Sequence, residues 1–293
     1  MYKLIKAAFG RQIKNKFLAI SAVIAIADGF MYARNYAFTV RFFSSSRLFT
    51  SLFLLALCAC RVISSGTTDN AYKNKLICGY TRTEIFVSEY IVTCVYALLM
   101  ATLTIACTLL RSYAMLPELP AKYAIALVTG IVLAWLLTVS IVFVLTALVP
   151  RKEIAILLAV FVVWVLCVPV AELEYKINQP EYMVSGGGIS FSFEKNDPEL
   201  LSENERYMGS PKYEITRALF EMTPSGQLLR YDSFFSAWER YGEVIEDIEA
   251  PFFSVKVLVN HKEFLITAPG FALLSLTLCF FGGLAIFRRR EFK

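Results

Sequence analysis

Three charged residues lie inside otherwise apolar stretches of this sequence: Asp28, Arg61 and Glu89. A charge at the centre of a bilayer costs about 2.5 kcal/mol or more, so such residues mark ion pairs, polar pathways or other specific contacts. Arg61 and Glu89 would pair if their segments packed side by side in opposite directions; otherwise both extend to the membrane surface. Asp28 precedes Gly29, and it either lines a cavity between two subunits or marks a break in its segment. We favour the break.

No pattern in the sequence predicts catalysis. Phosphate-binding loops of the GxxxxGK[ST] type, GxSxG and HExxH motifs and CxxC pairs are all missing. The single histidine, His261, flanks an apolar segment, where a solvated role is more common than catalysis. Cys58 and Cys60 lie in an apolar run without a second ligand pair, which favours packing over metal binding. We therefore predict that the chain is not an enzyme and that it binds no cofactor or metal ion itself.

The polar stretch at residues 67–84 has a defined pattern of helix-ending residues. Thr68 or Asp69 can cap the start of a short helix, and Gly79 can end it, since glycine readily adopts the left-handed conformation found after helices. Thr81 and Glu84 then have the spacing of a capping box for the next helix. The pattern predicts a short helix that turns abruptly into an apolar segment. Such an element can receive force from a soluble partner, although a well-capped loop has the same pattern.

These residues lie within a chain whose composition is typical of a membrane protein. Hydrophobic residues make up 57% of 293 residues, and the mean hydropathy is +0.57. A transmembrane helix needs about 20 apolar residues. Six segments approach or exceed that length: residues 17–33, 48–65, 85–110, 123–149, 154–171 and 264–287.

The distribution of Lys and Arg predicts which side of the membrane is cytoplasmic. Fifteen Lys and Arg residues precede the first segment, follow the last one, or lie around the connections between segments two and three and between segments four and five. Only four acidic residues lie in the same regions. This bias places both termini in the cytoplasm of a multi-pass plasma-membrane protein. Three arginines in the first outer loop, Arg34, Arg41 and Arg47, run against the rule. Because the net charge of +5 is divided in this way and forms no single basic face, nucleic acid is not a predicted partner.

Residues 172–263 form the one long polar segment, with 17 acidic and 9 basic residues. Alternating apolar residues at 189–193 predict a strand, and helical spacing at 234–248 predicts a helix. Residues 198–207 and 212–222 have the composition of two further short helices, and residues 185–188 of a hinge or turn. We expect a small α+β domain outside the cell. None of the seven cysteines lies in it, so no disulfide framework is predicted.

The N-terminal 16 residues have an amphipathic pattern. Ile5, Phe9 and Ile13 share one helical stripe, while Lys3 and Lys14 lie on another. The pattern predicts a helix that lies in the membrane interface. The alternative is an ordinary basic flank of the first segment.

Residues 74–88, with the sequence NKLICGYTRTEIFVS, resemble the coupling segment of permeases of the type-2 ABC transporter family, whose pattern is N-K-L-x-x-G-x-S/T-R-x-x-I/F. The basic amphipathic start, the six apolar segments and the FRRREFK ending are similar to the same family. So is the stretch TPSGQ at residues 223–227. The long segment at 172–263 departs from the family, in which many members carry only short re-entrant helices at this place.

The resemblance implies an all-α membrane protein with six transmembrane helices, an N-terminal elbow helix and a cytoplasmic coupling helix between spans two and three. The expected divisions are residues 1–171 for the first five spans, 172–263 for the extracellular domain and 264–293 for span six and the basic tail. It implies dimerisation with an identical or a different permease, and docking on a separate ATPase that binds ATP and Mg. The residues implied in coupling are Lys75, Leu76, Gly79, Tyr80, Thr81, Arg82 and Glu84.

The expected function is therefore export through the membrane, powered by a partner ATPase. Because the apolar segments offer few charges to hold a small ion, we expect an amphipathic or hydrophobic cargo, such as an antimicrobial peptide, a drug or a lipid-linked molecule. The alternative is an ATPase-independent sensor or immunity protein whose outer domain binds a ligand. A secondary transporter ranks last, because it needs ion-coordinating groups near the midplane and only Asp28 qualifies.

Overall fold

The computed structural model describes residues 1–34, 45–64, 69–112, 121–149, 151–177, 182–184, 201–203, 208–227 and 261–290. This part of the chain is mostly helical. In chain order the helices are α1 (Tyr2–Ile13), α2 (Lys16–Arg34), α3 (Ser45–Ser64), α4 (Asp69–Ile77), α5 (Arg82–Ser112), α6 (Ala121–Leu148), α7 (Lys152–Ile177), α8 (Lys212–Glu221) and α9 (His261–Arg289). Each of the six apolar segments is thus a helix, and α7 continues six residues beyond the expected end of its span.

Within the described residues, three helices are long and apolar enough to cross a membrane: Arg82–Cys107 within α5, Val128–Leu148 within α6 and Pro269–Arg289 within α9. The described parts of α3 and α7 contain shorter apolar stretches, Phe53–Ser64 and Glu153–Leu166. Large apolar side chains also remain exposed on the outer faces of these helices. On α7 and α9 they include Leu157, Phe161, Leu273, Leu278 and Phe281. Such faces are typical of helices that contact lipid, so the fold is that of a mostly helical membrane protein.

The described part of the long polar segment contains a small antiparallel pair of strands and one helix. Strand β1 (Tyr182–Val184) pairs with β2 (Leu201–Glu203), with Met183 opposite Ser202. The predicted helix at 198–207 is therefore wrong at its centre, because the backbone there is extended and bonded to β1. The helix predicted at 212–222 is confirmed as α8. The predicted turn at 185–188, strand at 189–193 and helix at 234–248 lie outside the described residues.

The predicted break at Asp28 and Gly29 is wrong: α2 is helical through both residues and ends at Arg34. A glycine weakens an isolated helix, but here it permits close packing of two helices. A Cβ atom at Gly29 would lie 2.6 Å from the carbonyl oxygen of Thr104 and 2.7 Å from Cβ of Cys107, both on α5. Tertiary packing thus stabilises a helix that the local sequence disfavours. Asp28 lies half-buried on the same continuous helix.

The core lies where α5 and α6 pack together with α9 on one side and α2 and α3 on the other. Helix α7 packs against α3 and α6, and α1 lies against α5. A buried stripe of Leu4, Ala8 and Gln12 faces the protein on α1, whereas Phe9 and Ile13 of the predicted apolar stripe are exposed. Residues 2–13 are thus helical, with one face toward the bundle and an apolar face outward; their position in a membrane interface stays a prediction.

Candidate functional site

The turn between α4 and α5 adopts the geometry that its sequence predicts. Gly79 has a φ of +87°, and the amide groups of Gly79 and Tyr80 donate to the carbonyl oxygens of Leu76 and Lys75. This pair of bonds closes the helix end in the Schellman arrangement. Thr81 and Glu84 form the predicted capping box: the Thr81 amide donates to Glu84 Oε2 at 2.9 Å, and the Glu84 amide donates to Thr81 Oγ1 at 3.2 Å. The turn is therefore fixed at both sides.

Glu89, about two turns into α5, joins three helices beside the α4–α5 turn. Its side chain is only 4% exposed, and Arg11 of α1 donates to both carboxylate oxygens at 3.0 and 2.7 Å. The ammonium group of Lys75 on α4 donates to Oε1 of the same carboxylate. A carboxylate this deeply buried needs such partners, since an uncompensated charge in this environment is strongly destabilising. Glu89 thus ties α4 and α1 to α5.

An aromatic cluster supports α4 beside this ion network. Tyr72 is 1% exposed and packs edge-on against Phe287 of α9, with ring centroids 5.1 Å apart. Phe287 contacts Phe86 of α5 at 5.3 Å, and Phe86 contacts Phe143 of α6 at 5.2 Å. The ammonium group of Lys75 lies 5.5 Å from the centre of the Tyr72 ring. A displacement of α4 would therefore act directly on α9 through Tyr72 and, by way of Phe287 and Phe86, on α5 and α6.

Residues at the start of α5 are bonded to the end of α9. The Arg82 guanidinium donates to the carbonyl oxygens of Arg288 and Arg290 at 2.6 and 2.7 Å, and Arg288 Nε donates to Thr83 Oγ1 at 3.0 Å. Arg290 in turn donates to the carbonyl oxygen of Ala147 in the last turn of α6. We call the contacts among Arg82, Thr83, Arg288 and Arg290 the tail clasp. They pair backbone carbonyls that a helix end leaves without helical partners.

The tip of the turn, in contrast, is exposed. Ile77 is 82% exposed, and Cys78, Gly79 and Thr81 are exposed as well. Leu76 and Tyr80 are half-buried and pack against the core. The turn thus presents one large apolar side chain, Ile77, outward, while Leu76 and Tyr80 pack its other face against the core.

The remaining predicted site residues lie elsewhere. The structure does not pair Arg61 with Glu89: α3 packs on α2, α6 and α7, and Arg61 lies over the Phe17 ring at 6.0 Å. The prediction failed because α2, rather than α3, is the apolar neighbour of α5. Asp28 also lies away from the α4–α5 turn. It is in the second half of α2, toward the end opposite to Lys16.

A second polar cluster lies deep between α7 and α9. Residues 222–227, which we call the inserted segment, follow α8 and contain a helical turn capped by Thr223, whose Oγ1 accepts from the Gly226 amide at 2.9 Å. Ser225 donates to the carbonyl oxygen of Leu166 on α7, and Ser275 of α9 donates to that of Met222 at 2.9 Å. Ser225 and Gln227 are fully buried. Ser275 is about 20 Å along α9 from Arg288, so this segment lies well inside the bundle.

Sequence patterns missed several residues of the site around the turn. In the sequence, Arg11 is one basic residue among many. Tyr72, Phe86 and Phe287 lie in apolar or mixed stretches that do not distinguish them. The pattern that could have indicated this part of the site is the spacing of Tyr72 and Lys75, which places both on one face of α4. In the part of the chain that the structure describes, no group of three or more His, Cys, Asp or Glu residues could hold a metal ion.

Comparisons with known proteins do not assign the chain to a family. No family model matches the sequence, and no curated protein matches it significantly.

Proposed function

We propose that this chain is the permease subunit of an ATP-driven exporter of the type-2 ABC kind, and that a separate ATPase docks on the α4–α5 turn. The ATPase binds ATP and Mg and hydrolyses the nucleotide, while this chain provides the route through the membrane. The observation that supports this proposal is a contrast within the α4–α5 turn. Its tip at Ile77 is exposed, while its base contacts α1, α5 and α9. A push on the tip would be distributed to the bundle.

In this proposal α2, α3, α5, α6, α7 and α9 are six spans, and α1 lies in the cytoplasmic membrane interface. The exposed apolar side chains Tyr2, Phe9 and Ile13 on α1 support that position, because lipid would cover them. Residues 172–263 contain a small α+β domain outside the cell, to which β1 and β2 belong. Two permease subunits, identical or different, enclose the path, and the protein resides in the plasma membrane with cytoplasmic termini.

The proposed cargo is amphipathic or hydrophobic, such as an antimicrobial peptide, a drug or a lipid-linked molecule. The buried surfaces of α5, α6 and α9 are dominated by apolar and aromatic side chains. The buried acid in this region, Glu89, is already paired with two cations, so it does not supply a site for a small ion.

Sidedness is tested by labelling Cys78, the exposed cysteine in the turn. A membrane-impermeant maleimide should label Cys78 in inside-out vesicles and leave it unlabelled in intact cells. The Cys78→Ser variant gives the background from the other cysteines. Labelling of Cys78 from outside would place the turn on the wrong side of the membrane and refute the proposal.

Docking is tested by replacing the exposed apolar tip. Ile77→Asp should lower the affinity for the co-purifying ATPase by about tenfold or more, because an exposed anchor at an interface centre contributes at least about 1.4 kcal/mol. Ile77→Leu is the matched control and should retain binding. Since Ile77 makes little contact within the chain, the thermal unfolding of the protein should be the same in both variants as in the wild type.

The alternative, an ATPase-independent sensor or immunity protein, makes the opposite prediction. No ATPase would co-purify with the full chain, and a ligand would bind to the full chain through residues 172–263. Transport and complex formation that are indifferent to Ile77→Asp and to Gly79→Val would also contradict the coupling role.

A further inference from the structure

One helix, α9, connects the α4–α5 turn with the inserted segment. At one end of α9 the tail clasp bonds Arg288 and Arg290 to the start of α5. Further along the same helix, Ser275 donates to the carbonyl oxygen of Met222. The helix is continuous between these points, so its end and its middle move as one body.

Arg82 makes two of the three hydrogen bonds of the tail clasp. A guanidinium group has a planar fork of donors, and here one nitrogen of that fork bonds two carbonyl oxygens, that of Arg288 in the last turn of α9 and that of Arg290 just beyond it. A charged donor also suits the negative end of the helix dipole. Because Arg82 is the first residue of α5 and follows the capped turn directly, any displacement of the turn displaces its guanidinium group.

The inserted segment has contacts on two sides that make it sensitive to α9. Ser225 bonds it to α7 through Leu166, while Ser275 bonds it to α9. A shift of α9 relative to α7 must therefore strain or break one of these two bonds. The fully buried Ser225 and Gln227 would then change their surroundings.

We infer that Arg82 is a positioning residue that carries displacement of the α4–α5 turn through α9 to the inserted segment. The turn thereby controls how the inserted segment bridges α7 and α9, about 20 Å away along α9. This inference rests on the proposed function for the source of the displacement, but the link between Arg82 and the inserted segment is a property of the chain itself.

The basal test measures amide hydrogen exchange of residues 222–227 in the full-length protein in lipid nanodiscs. Arg82→Gln should speed this exchange by about tenfold, because it removes charge-assisted hydrogen bonds that hold α9 in place. The matched control is Arg289→Gln, which removes the same charge from an exposed residue in the last turn of α9, next to the Arg288 carbonyl that Arg82 bonds. It should leave the exchange unchanged. Thr83→Val removes a single bond of the clasp with little change in volume and should give a smaller increase in the same direction.

The coupled test uses the complex with the ATPase. ATP should change the exchange of residues 222–227 in the wild type and in Arg289→Gln, but not in Arg82→Gln, while the Arg82→Gln complex continues to hydrolyse ATP. A residue that only stabilised the fold would lower complex formation and hydrolysis together.

Two results would overturn the inference: equal basal exchange in Arg82→Gln and Arg289→Gln, or an ATP response that persists in Arg82→Gln. If the wild-type chain binds no ATPase, the proposed function fails, and the basal comparison still decides whether Arg82 controls the inserted segment.

Discussion

Helix α5 contacts its neighbours in two different ways at its two ends. Near the α4–α5 turn it is joined to other helices by long side chains: Arg11 and Lys75 reach Glu89, and Arg82 reaches the end of α9. Further along, it meets α2 through small residues. Gly29 of α2 lies against the backbone of Thr104, whose Oγ1 donates to the carbonyl oxygen of Ala25 at 3.1 Å.

This difference indicates which contacts can move. Long charged side chains have many rotamers and can keep their partners through shifts of an ångström or more. Two helices in contact through glycine and backbone atoms have no such freedom, because repulsion rises steeply with any approach. We therefore expect α2 and α5 to move together, and α1 and α4, which reach α5 through charged side chains, to move relative to them.

The largest expected effect is at the close helix contact. Gly29→Ala would place a methyl group 2.6 Å from the Thr104 carbonyl oxygen, and the two backbones must separate to admit it. We expect a loss of about 3 kcal/mol in the free energy of unfolding, measured by denaturation in detergent.

The same substitution at Gly282 is the control for Gly29→Ala. A Cβ atom at Gly282 of α9 meets nothing within 4 Å, so alanine there should be neutral or slightly stabilising through its higher helix propensity. Equal losses at the two positions would show that α2 and α5 are not in rigid contact.

Removal of the charge of Glu89 should have the next largest effect. Glu89→Gln leaves Arg11 and Lys75 without their anionic partner, although both are partly exposed and can gain some hydration. We expect a loss of about 2 kcal/mol in unfolding free energy and a larger loss of ATP-driven transport.

Two neighbouring lysines on α4 give a matched comparison for this network. Lys75→Met removes a cation that bonds Glu89, whereas Lys73→Met removes the same charge two residues away. Only the variant at Lys75 should reproduce part of the Glu89→Gln effect. If both lysine variants behave alike, the network around Glu89 has no specific role.

The local features of the site could be predicted from the sequence. Gly79, Thr81 and Glu84 define the turn through bonds between residues at most a few positions apart, and those bonds follow from residue type. The six apolar segments were likewise found as helices, because length and composition are sufficient to identify them.

The long-range contacts could not be predicted. Arg11 is 78 residues from Glu89 in the sequence, and no pattern shows which helix lies beside which. For that reason Arg61 was a reasonable but wrong partner. The predicted break at Gly29 is wrong for a related reason. The low helix propensity of glycine is a local property, whereas the packing of Gly29 depends on the backbone of α5.

A smaller effect is expected at the turn itself. Gly79→Ala forces a residue with a Cβ atom into a φ of +87°, at a cost of about 1 kcal/mol. The change should lower ATPase docking more than it lowers thermal stability, because the tip is exposed. Gly10→Ala in α1, where space is open, should affect neither, and a loss of docking there would contradict the assignment of the docking surface to the turn.

The smallest expected effect concerns a polar bond within the rigid contact. The Tyr96 hydroxyl of α5 donates to Ser21 Oγ of α2 at 2.9 Å, and Ser21 itself donates to the carbonyl oxygen of Phe17. Tyr96→Phe removes one bond but leaves Ser21 with its backbone partner, so the unfolding free energy should fall by about 0.5–1 kcal/mol. ATP-driven transport should be unaffected, since α2 and α5 stay in contact through Gly29. A transport defect in Tyr96→Phe at preserved stability would mean that this contact also moves, and the division of α5 into a rigid part and a mobile part would be wrong.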